Sequence, residues 1–388
     1  MRVVFVTRGY PSKDNPMAGN YEAVQAKALA KKGVDVSVIC TETRSILHLF
    51  GRNKVESFDD EGVHVYKSHP VLLVIPKMLF LSNWRLNNWI LSRSLHQLFQ
   101  RCCSEIGKPD IIHAHIIGFA FRCKRILEKH DIPLVITEHW SKINDLTFTS
   151  VRLTRWAKMY FKAKRVIAVS NQLSKSLKEK YSVDSIVVNN MVSDTFFSGN
   201  MISKKKKGYK FIAVGSLRPI KGFDLLIKAF NKCHFAPDIC LDIVGGGEDM
   251  HILRELINKY GIQQQVRLLG LKQPEEVGKL MAEADCYVLA SHSETFGIVC
   301  IEAMAKGLPV IATRCGGPEE FINEQNGVLI PVNDVDALAE AMQNMYKNAH
   351  FYNHEAIRDY SQCHFSESAI ADQIIAVYKE VTRNNVLE

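Results

Sequence analysis

Short runs rich in β-branched residues recur along this chain at nearly even spacing, and their alternation with longer helix-like stretches limits the folds open to it. The first half carries RVVFVT (2–7), VDVSVIC (34–40), VHVYKS (63–68), DIIHAH (110–115), PLVITEH (133–139), RVIAVS (165–170) and SIVVNN (185–190). Several are apolar nearly throughout, as parallel strands covered on both faces must be. The pattern then restarts with KFIAVGS (210–216), CLDIVG (240–245), VRLLG (266–270), DCYVLAS (285–291), PVIAT (309–313) and GVLIP (327–331). We therefore predict two Rossmann-like, doubly wound α/β domains, 1–200 and 201–365, joined near residue 200; 388 residues suffice for two cores. The Lys204–Lys207 run reads as a solvated linker. In such sheets ligands bind beyond the carboxyl ends of the strands, at the point where strand order reverses. Two such domains facing each other make a cleft, so every candidate site should follow a strand.

Charge separates the halves. Residues 1–200 hold 29 Lys and Arg against 17 Asp and Glu, a balance of +12, whereas the remainder is at −4. A basic first half suggests an anionic partner: nucleic acid, an anionic membrane surface or a phosphorylated substrate. No recognisable RNA- or DNA-binding motif accompanies it, so nucleic acid is not expected. No run reaches the length of a membrane span; VLLVIPKMLFL (71–81) is too short and contains Pro76 and Lys77. The opening MRVVFVTRGYP reads as a buried strand rather than a secretory signal, and the ten cysteines, with no CxxC pair, as reduced cytoplasmic thiols.

Several strand ends carry candidate chemistry. After the first strand, Gly19 precedes a helix with Glu22 in its first turn, which suits either close approach to an anionic ligand or an ordinary capped loop. His113 and His115 share one face of a strand, and Glu138, His139 and Trp140 end the next; ligand hydrogen bonding from His139, a metal site and a satisfied polar strand end are all compatible with them. Arg218 and Lys221 precede a helix opening near Gly222, which is either a phosphate clamp or an exposed basic loop. Gly245–Gly247 are consecutive and not spaced as a dinucleotide fingerprint. The D-x-D of Asp334 and Asp336 stands at a helix start, where an N-cap is the better reading than a metal ligand.

The most informative stretch is SHSETFGIVCIEAMAKGLPVIAT (291–313). Its helix should begin near Gly297 or Ile298. That puts Glu294 on the preceding loop, the amides of Phe296, Gly297 and Ile298 at a helix N-terminus free to bind an anion, and Glu302 about one turn later. The spacing suits a ligand with sugar, diphosphate and ribose in line; helix capping plus a surface glutamate is the simpler alternative for an isolated pair.

The Glu294…Glu302 spacing, with the Gly19 loop, HAH, TEH, VSNQL, GSLRPIKGFDLLI, VGGGED and GGPEEFI, resembles the family 4 retaining glycosyltransferases of the GT-B fold over nearly the whole chain. The resemblance implies sugar transfer from a nucleotide-sugar donor, UDP- or GDP-linked, with retention of anomeric configuration. It implies that Lys221 and Arg218 hold the donor diphosphate, Glu302 the ribose hydroxyls, and Glu294 the transferred sugar. Phe296, Gly297 and Ile298 would offer backbone, His139 would lie against the sugar, and Gly19 under the diphosphate. The closing helix, about 366–388, resembles one that packs back on the first domain. Gly19-Asn20 replaces the frequent glycine pair, Ser216 stands where many members carry Arg, and Asn189-Asn190-Met191 replaces Pro-Asn-Gly.

These readings predict a metal-independent hexosyltransferase. Its acceptor would be a hydroxyl of a glycan or lipid-linked molecule in cell-surface polysaccharide or glycolipid synthesis. The alternatives are a sugar-nucleotide-binding protein without turnover and a nicotinamide-dependent oxidoreductase on tandem Rossmann domains. Aromatic and basic residues interleave in 76–101 (Phe80, Trp84, Trp89, Phe99 with Lys77, Arg85, Arg93, Arg101) and again in 152–165, a pattern suited to a peripheral helix on an anionic inner leaflet or to packing with solvated charges.

Overall fold

The structure, a computed structural model, describes residues 1–12, 15, 17–43, 55–72, 80–198 and 208–384. The chain divides into two compact units: Met1–Asn189 with Ile370–Glu388, and Asn190–Ala369. The first division falls ahead of the expected one near residue 200. Val192 pairs with Ser366, and the Glu367 carboxylate accepts from the Asp194 amide at 3.0 Å, so residues 190–198 are tied to the second unit. The Lys204–Lys207 run lies outside the described residues.

Unit 1 is built on eight strands: β1 (Arg2–Thr7), β2 (Asp35–Thr41), β3 (Val55–Asp60), β4 (Val63–Ser68), β5 (Ile111–His115), β6 (Leu134–Glu138), β7 (Arg165–Ala168) and β8 (Ile186–Val187). Their order is β3-β4-β2-β1-β5-β6-β7-β8, with only β3 antiparallel to its neighbour. Strands β1, β5 and β6 are buried almost end to end, as expected of strands covered on both faces. The edge strand β3 has no buried residue, and its alternation is too polar to announce a strand; pairing with β4 creates it. The closing helix Glu367–Asn384 enters unit 1 from Ile370 onward. There Tyr378 bonds His113 at 2.6 Å, Asp372 pairs with Lys32 and Glu380 with Arg165.

Unit 2 carries β9 (Tyr209–Val214), β10 (Ile239–Val244), β11 (Val266–Gly270), β12 (Cys286–Leu289), β13 (Val310–Thr313) and β14 (Gly327–Ile330), all parallel. The order β11-β10-β9-β12-β13-β14 reverses between β9 and β12, the arrangement of a nucleotide-binding Rossmann sheet. Its core packs Phe211, Ile243 and Val288 of the sheet against Leu226, Phe230 and Met342 of flanking helices.

The aromatic and basic helix of unit 1 runs from Phe80 to Ile106. Its inner face buries Leu91, Leu95, Leu98 and Phe99. Phe99 is therefore core and not part of an exposed aromatic face, and Arg101 is engaged by Glu105 and Ser57. Lys77 and the side chain of Phe80 lie outside the described residues. Trp84 packs under Arg152 and Arg155, whose guanidinium carbons sit 5.4 and 6.0 Å from its ring centre. No helix among the described residues is long and apolar enough to cross a membrane.

Candidate functional site

The point where strand order reverses in unit 2 brings two loops together. After β9 the chain runs through Ser216 and Arg218 into a single turn, Pro219–Lys221, and Gly222 then opens the helix Phe223–Cys233. Gly222 has φ +62°, and a Cβ there would stand 2.1 Å from the Ala290 carbonyl oxygen at the end of β12. Only glycine lets the basic loop lie this close to the second loop. The His292 amide donates to the Ile220 carbonyl at 2.9 Å, fastening the two.

In that frame Lys221 Nζ reaches Glu294 Oε1 at 2.5 Å, with both side chains largely shielded from solvent. Ser291 Oγ donates to the same carboxylate oxygen at 2.8 Å, and the Ser291 carbonyl accepts from Thr313 Oγ1. The Glu294 backbone is held from the other side: its amide donates to the Cys315 carbonyl at 2.8 Å and its carbonyl accepts from the Gly317 amide at 3.2 Å. Glu294 is thus fixed in position and orientation by its own loop and two neighbouring ones.

Phe296 is buried, with Phe321 and Phe365 at ring distances of 5.2 and 5.8 Å, and anchors the loop just before the helix Ile298–Ala305. Gly297 caps that helix in the left-handed region, φ +90°. Among the described residues the amides of Phe296, Gly297 and Ile298 meet no acceptor, so the helix presents free N–H groups beside the Lys221–Glu294 pair. Glu302 follows one turn along. Burial pushes its carboxyl up to about 7, and no cation pairs with it among the described residues. Arg218 shares the loop of Lys221 but is exposed, and its side chain enters no ion pair among the described residues.

In unit 1, Gly19 adopts φ +64° at the start of the helix Asn20–Lys31, and a Cβ there would stand 2.0 Å from the Gly9 carbonyl oxygen, so its backbone lies directly on the loop after β1. His113 and His115 lie side by side on β5, and His139 beyond β6 stacks on His115 with ring centres 5.4 Å apart and planes 14° from parallel. His115 Nδ1 and His139 Nε2 are 3.2 Å apart. Burial lowers the pKa of all three, His113 to about 3, so the rings are neutral and one of the stacked pair donates to the other. Among the described residues no group of three or more His, Cys, Asp or Glu side chains is arranged to hold a metal ion.

Glu138 has a role that residue type alone did not reveal. It is buried and accepts from the amides of Ile117, His139 and Trp140 and from the Tyr160 hydroxyl, all within 3.1 Å. It therefore holds the His139 loop and is not free to meet a ligand. The contacts of Ser291, Cys315 and Gly317 with Glu294 were equally unread; the GGPEEFI segment was visible, but its contact was not. Asp334 caps the helix Val335–Lys347, accepting from the Asp336 and Ala337 amides at 3.0 and 2.8 Å, and Asp336 pairs with Lys232.

Comparison with known proteins bears on this geometry. The profile described as "Glycosyl transferases group 1" matches residues 199–362, and that described as "Glycosyltransferase Family 4" matches residues 19–196. The chain belongs to the family 4, group 1 glycosyltransferases. This glycosyltransferase is 27% identical to TuaC of Bacillus subtilis strain 168, a protein named for teichuronic acid biosynthesis, over the full length of both chains. It is also 27% identical to the N-acetyl-alpha-D-glucosaminyl L-malate synthase of Bacillus anthracis, over 71% of this chain and 76% of that one. Among solved structures it resembles the sucrose-phosphate synthase of Thermosynechococcus elongatus (TM-score 0.78, 20% identity, 99% of this chain and 100% of that one). It likewise resembles Anabaena HepE in complex with UDP and glucose (TM-score 0.74, 18% identity, 98% and 99%). The enzyme has the GT-B fold, with two Rossmann-like units.

Proposed function

We propose that this enzyme moves a hexose, with retention of configuration and without a metal ion, from a UDP- or GDP-linked donor to a hydroxyl of a glycan or lipid-linked acceptor. The observation that carries this reading is the Lys221–Glu294 pair beside the free amides of the helix Ile298–Ala305, with the unpaired Glu302 one turn along. A diphosphate on those amides would draw Lys221 and Arg218 as cations, and charge growing on it as the sugar departs would meet donors already in place. Each such charge-assisted bond contributes about 1.5–3 kcal/mol. Glu294, oriented by Ser291 and its backbone bridges, is assigned to the hydroxyls of the transferred sugar, and Glu302 to the ribose. For unit 1 we assign His139 to the sugar and the Gly19 backbone to the diphosphate.

The related structure bound to UDP and glucose, and the relative named for teichuronic acid biosynthesis, support this reading. Retention and polysaccharide or glycolipid synthesis follow the family resemblance. The basic excess of residues 1–200, with Trp84 and Arg85 on the long helix, supports a peripheral site of action on the anionic inner face of a membrane. The test is turnover of a panel of nucleotide sugars with and without excess chelator, with the anomeric configuration of the product read by NMR. Chelator-resistant transfer with retention is the expected result. A strict divalent-cation requirement or an inverted product would overturn the mechanism, and binding without turnover of any donor would leave a nucleotide-sugar-binding protein.

A further inference from the structure

Away from the candidate site, the long helix Phe80–Ile106 and the short helices Ile117–Arg122 and Lys124–Leu127 of unit 1 enclose a groove of about 430 Å³. Its lining carries five cations, Arg85, Arg93, Arg122, Lys124 and Arg125, against one carboxylate, Glu128. Glu128 is already engaged by Lys124 at 3.6 Å. Arg85, Arg93 and Arg125 meet no carboxylate among the described residues. Several cations elsewhere in the same unit are paired: Lys27 with Asp60, Lys32 with Asp372, Lys67 with Glu42, Arg101 with Glu105. Like charges gathered without counter-charge repel one another, and a bound anion relieves that repulsion.

Arg122 adds an independent observation. Its guanidinium lies 4.6 Å over the Phe119 ring, and its Nε is sealed from solvent with no acceptor. A buried, unsatisfied guanidinium donor is costly unless something fills its hydrogen-bonding capacity. Burial and the nearby Arg152 push the group down to about 10, the direction expected for a cation lacking an anionic partner. Asn88 and Ser92, on the same wall of the groove, supply neutral polar groups between the arginines, and Trp89 is half exposed at its rim with Arg93 over its ring at 5.5 Å. Fork-shaped guanidinium donors match phosphate oxygens, and a groove of this size holds one head group rather than a polymer.

We propose that this groove binds a phosphate ester, held by Arg93, Arg122 and Arg125, as a second anion site separate from the donor diphosphate site of unit 2. The proposal deepens the acceptor reading above by giving the acceptor, or the lipid that carries it, a phosphate-bearing head group. Two sources share this chemistry, a phospholipid in a bilayer and a soluble phosphate ester, and the test separates them. The full chain and the double variant Arg93→Gln/Arg125→Gln are compared; both positions are exposed, so the variant should keep the wild-type melting temperature. Glycerol 3-phosphate binding is measured by calorimetry. Co-sedimentation is measured with phosphatidylcholine vesicles, with and without phosphatidylglycerol, at low and high salt.

The expected result is that the wild-type chain takes at least one probe, that salt weakens the binding, and that the double variant loses it by roughly tenfold or more. Capture by anionic vesicles alone identifies a bilayer head group, and binding of glycerol 3-phosphate alone identifies a soluble ester. Absence of binding to both probes overturns the proposal, as does a double variant that binds like the wild type. UDP and GDP binding is measured in parallel. Its loss in the wild-type chain would count against the donor reading and not against the groove, whereas the double variant should keep it.

Discussion

Replacing Glu302 with Gln should stabilise this enzyme above neutral pH while impairing nucleotide binding. Burial raises the Glu302 carboxyl to about 7 from the ordinary 4.5, and no cation offsets that among the described residues. An acid whose folded pKa lies above its unfolded one favours folding while protonated. That contribution is complete below about pH 4.5 and is lost as pH rises toward 7. At about 1.4 kcal/mol per pH unit, the interval sets an upper bound of about 3 kcal/mol; partial contact with solvent brings a realistic value to about 1–2 kcal/mol. Glutamine has nearly the same shape and no charge to bury. Glu302→Gln should therefore raise the melting temperature at pH 8 by about 2–8 °C and leave it nearly unchanged at pH 4.5, given about 2–4 °C per kcal/mol for a unit of this size. The assay is calorimetric unfolding of both proteins across pH 4.5–8.5, with titration of UDP and GDP at pH 8. A variant less stable than wild type at pH 8, or a difference that does not change with pH, would refute the reasoning. Tighter nucleotide binding by the variant would refute the assignment of Glu302 to ribose.

Lys221→Ala should weaken nucleoside diphosphate binding by roughly 10- to 100-fold, the worth of one or two charge-assisted bonds. It also leaves Glu294 without its ion partner, so a small drop in melting temperature should accompany the loss seen by calorimetry. Gly222→Ala combines a left-handed backbone with a Cβ 2.1 Å from a carbonyl oxygen; it should cost about 2–4 kcal/mol in urea unfolding and lower turnover by shifting Lys221. Because burial depresses the pKa of His113, His115 and His139, unit 1 should lose stability as pH falls below their unfolded value near 6.5, a loss that calorimetry of wild type between pH 7 and 5 would register and that His113→Gln should diminish. His139→Gln should lower kcat more than it raises the donor KM, whereas a purely packing role would move stability alone.

The strands of both sheets were legible because a parallel strand covered on two faces is rich in apolar and β-branched residues: β1 and β12 are apolar almost throughout, and β5, β6 and β10 are mostly so around the buried His113, His115, Glu138 and Asp242. The helix carrying Glu302 was legible for a related reason, since an apolar run closed by Gly307 and Pro309 leaves little choice of where it starts and stops. Strand β3 was not legible, because hydrogen bonds to β4 hold it at an edge where side chains carry no burial signal. Nor did composition mark the division at residue 190, which the pairing of Val192 with Ser366 decides. The sequence named Lys221 and Glu294 as candidates, but 73 residues separate them, and no local rule joins them. They meet because strand order reverses between β9 and β12 and because Gly222 lets one loop lie against the other. The placing of Glu138 under the His139 loop, and of Arg122 in its groove, is likewise a property of the packed chain: residue type names the chemistry a side chain can do, and its neighbours in space decide which of its bonds are already made.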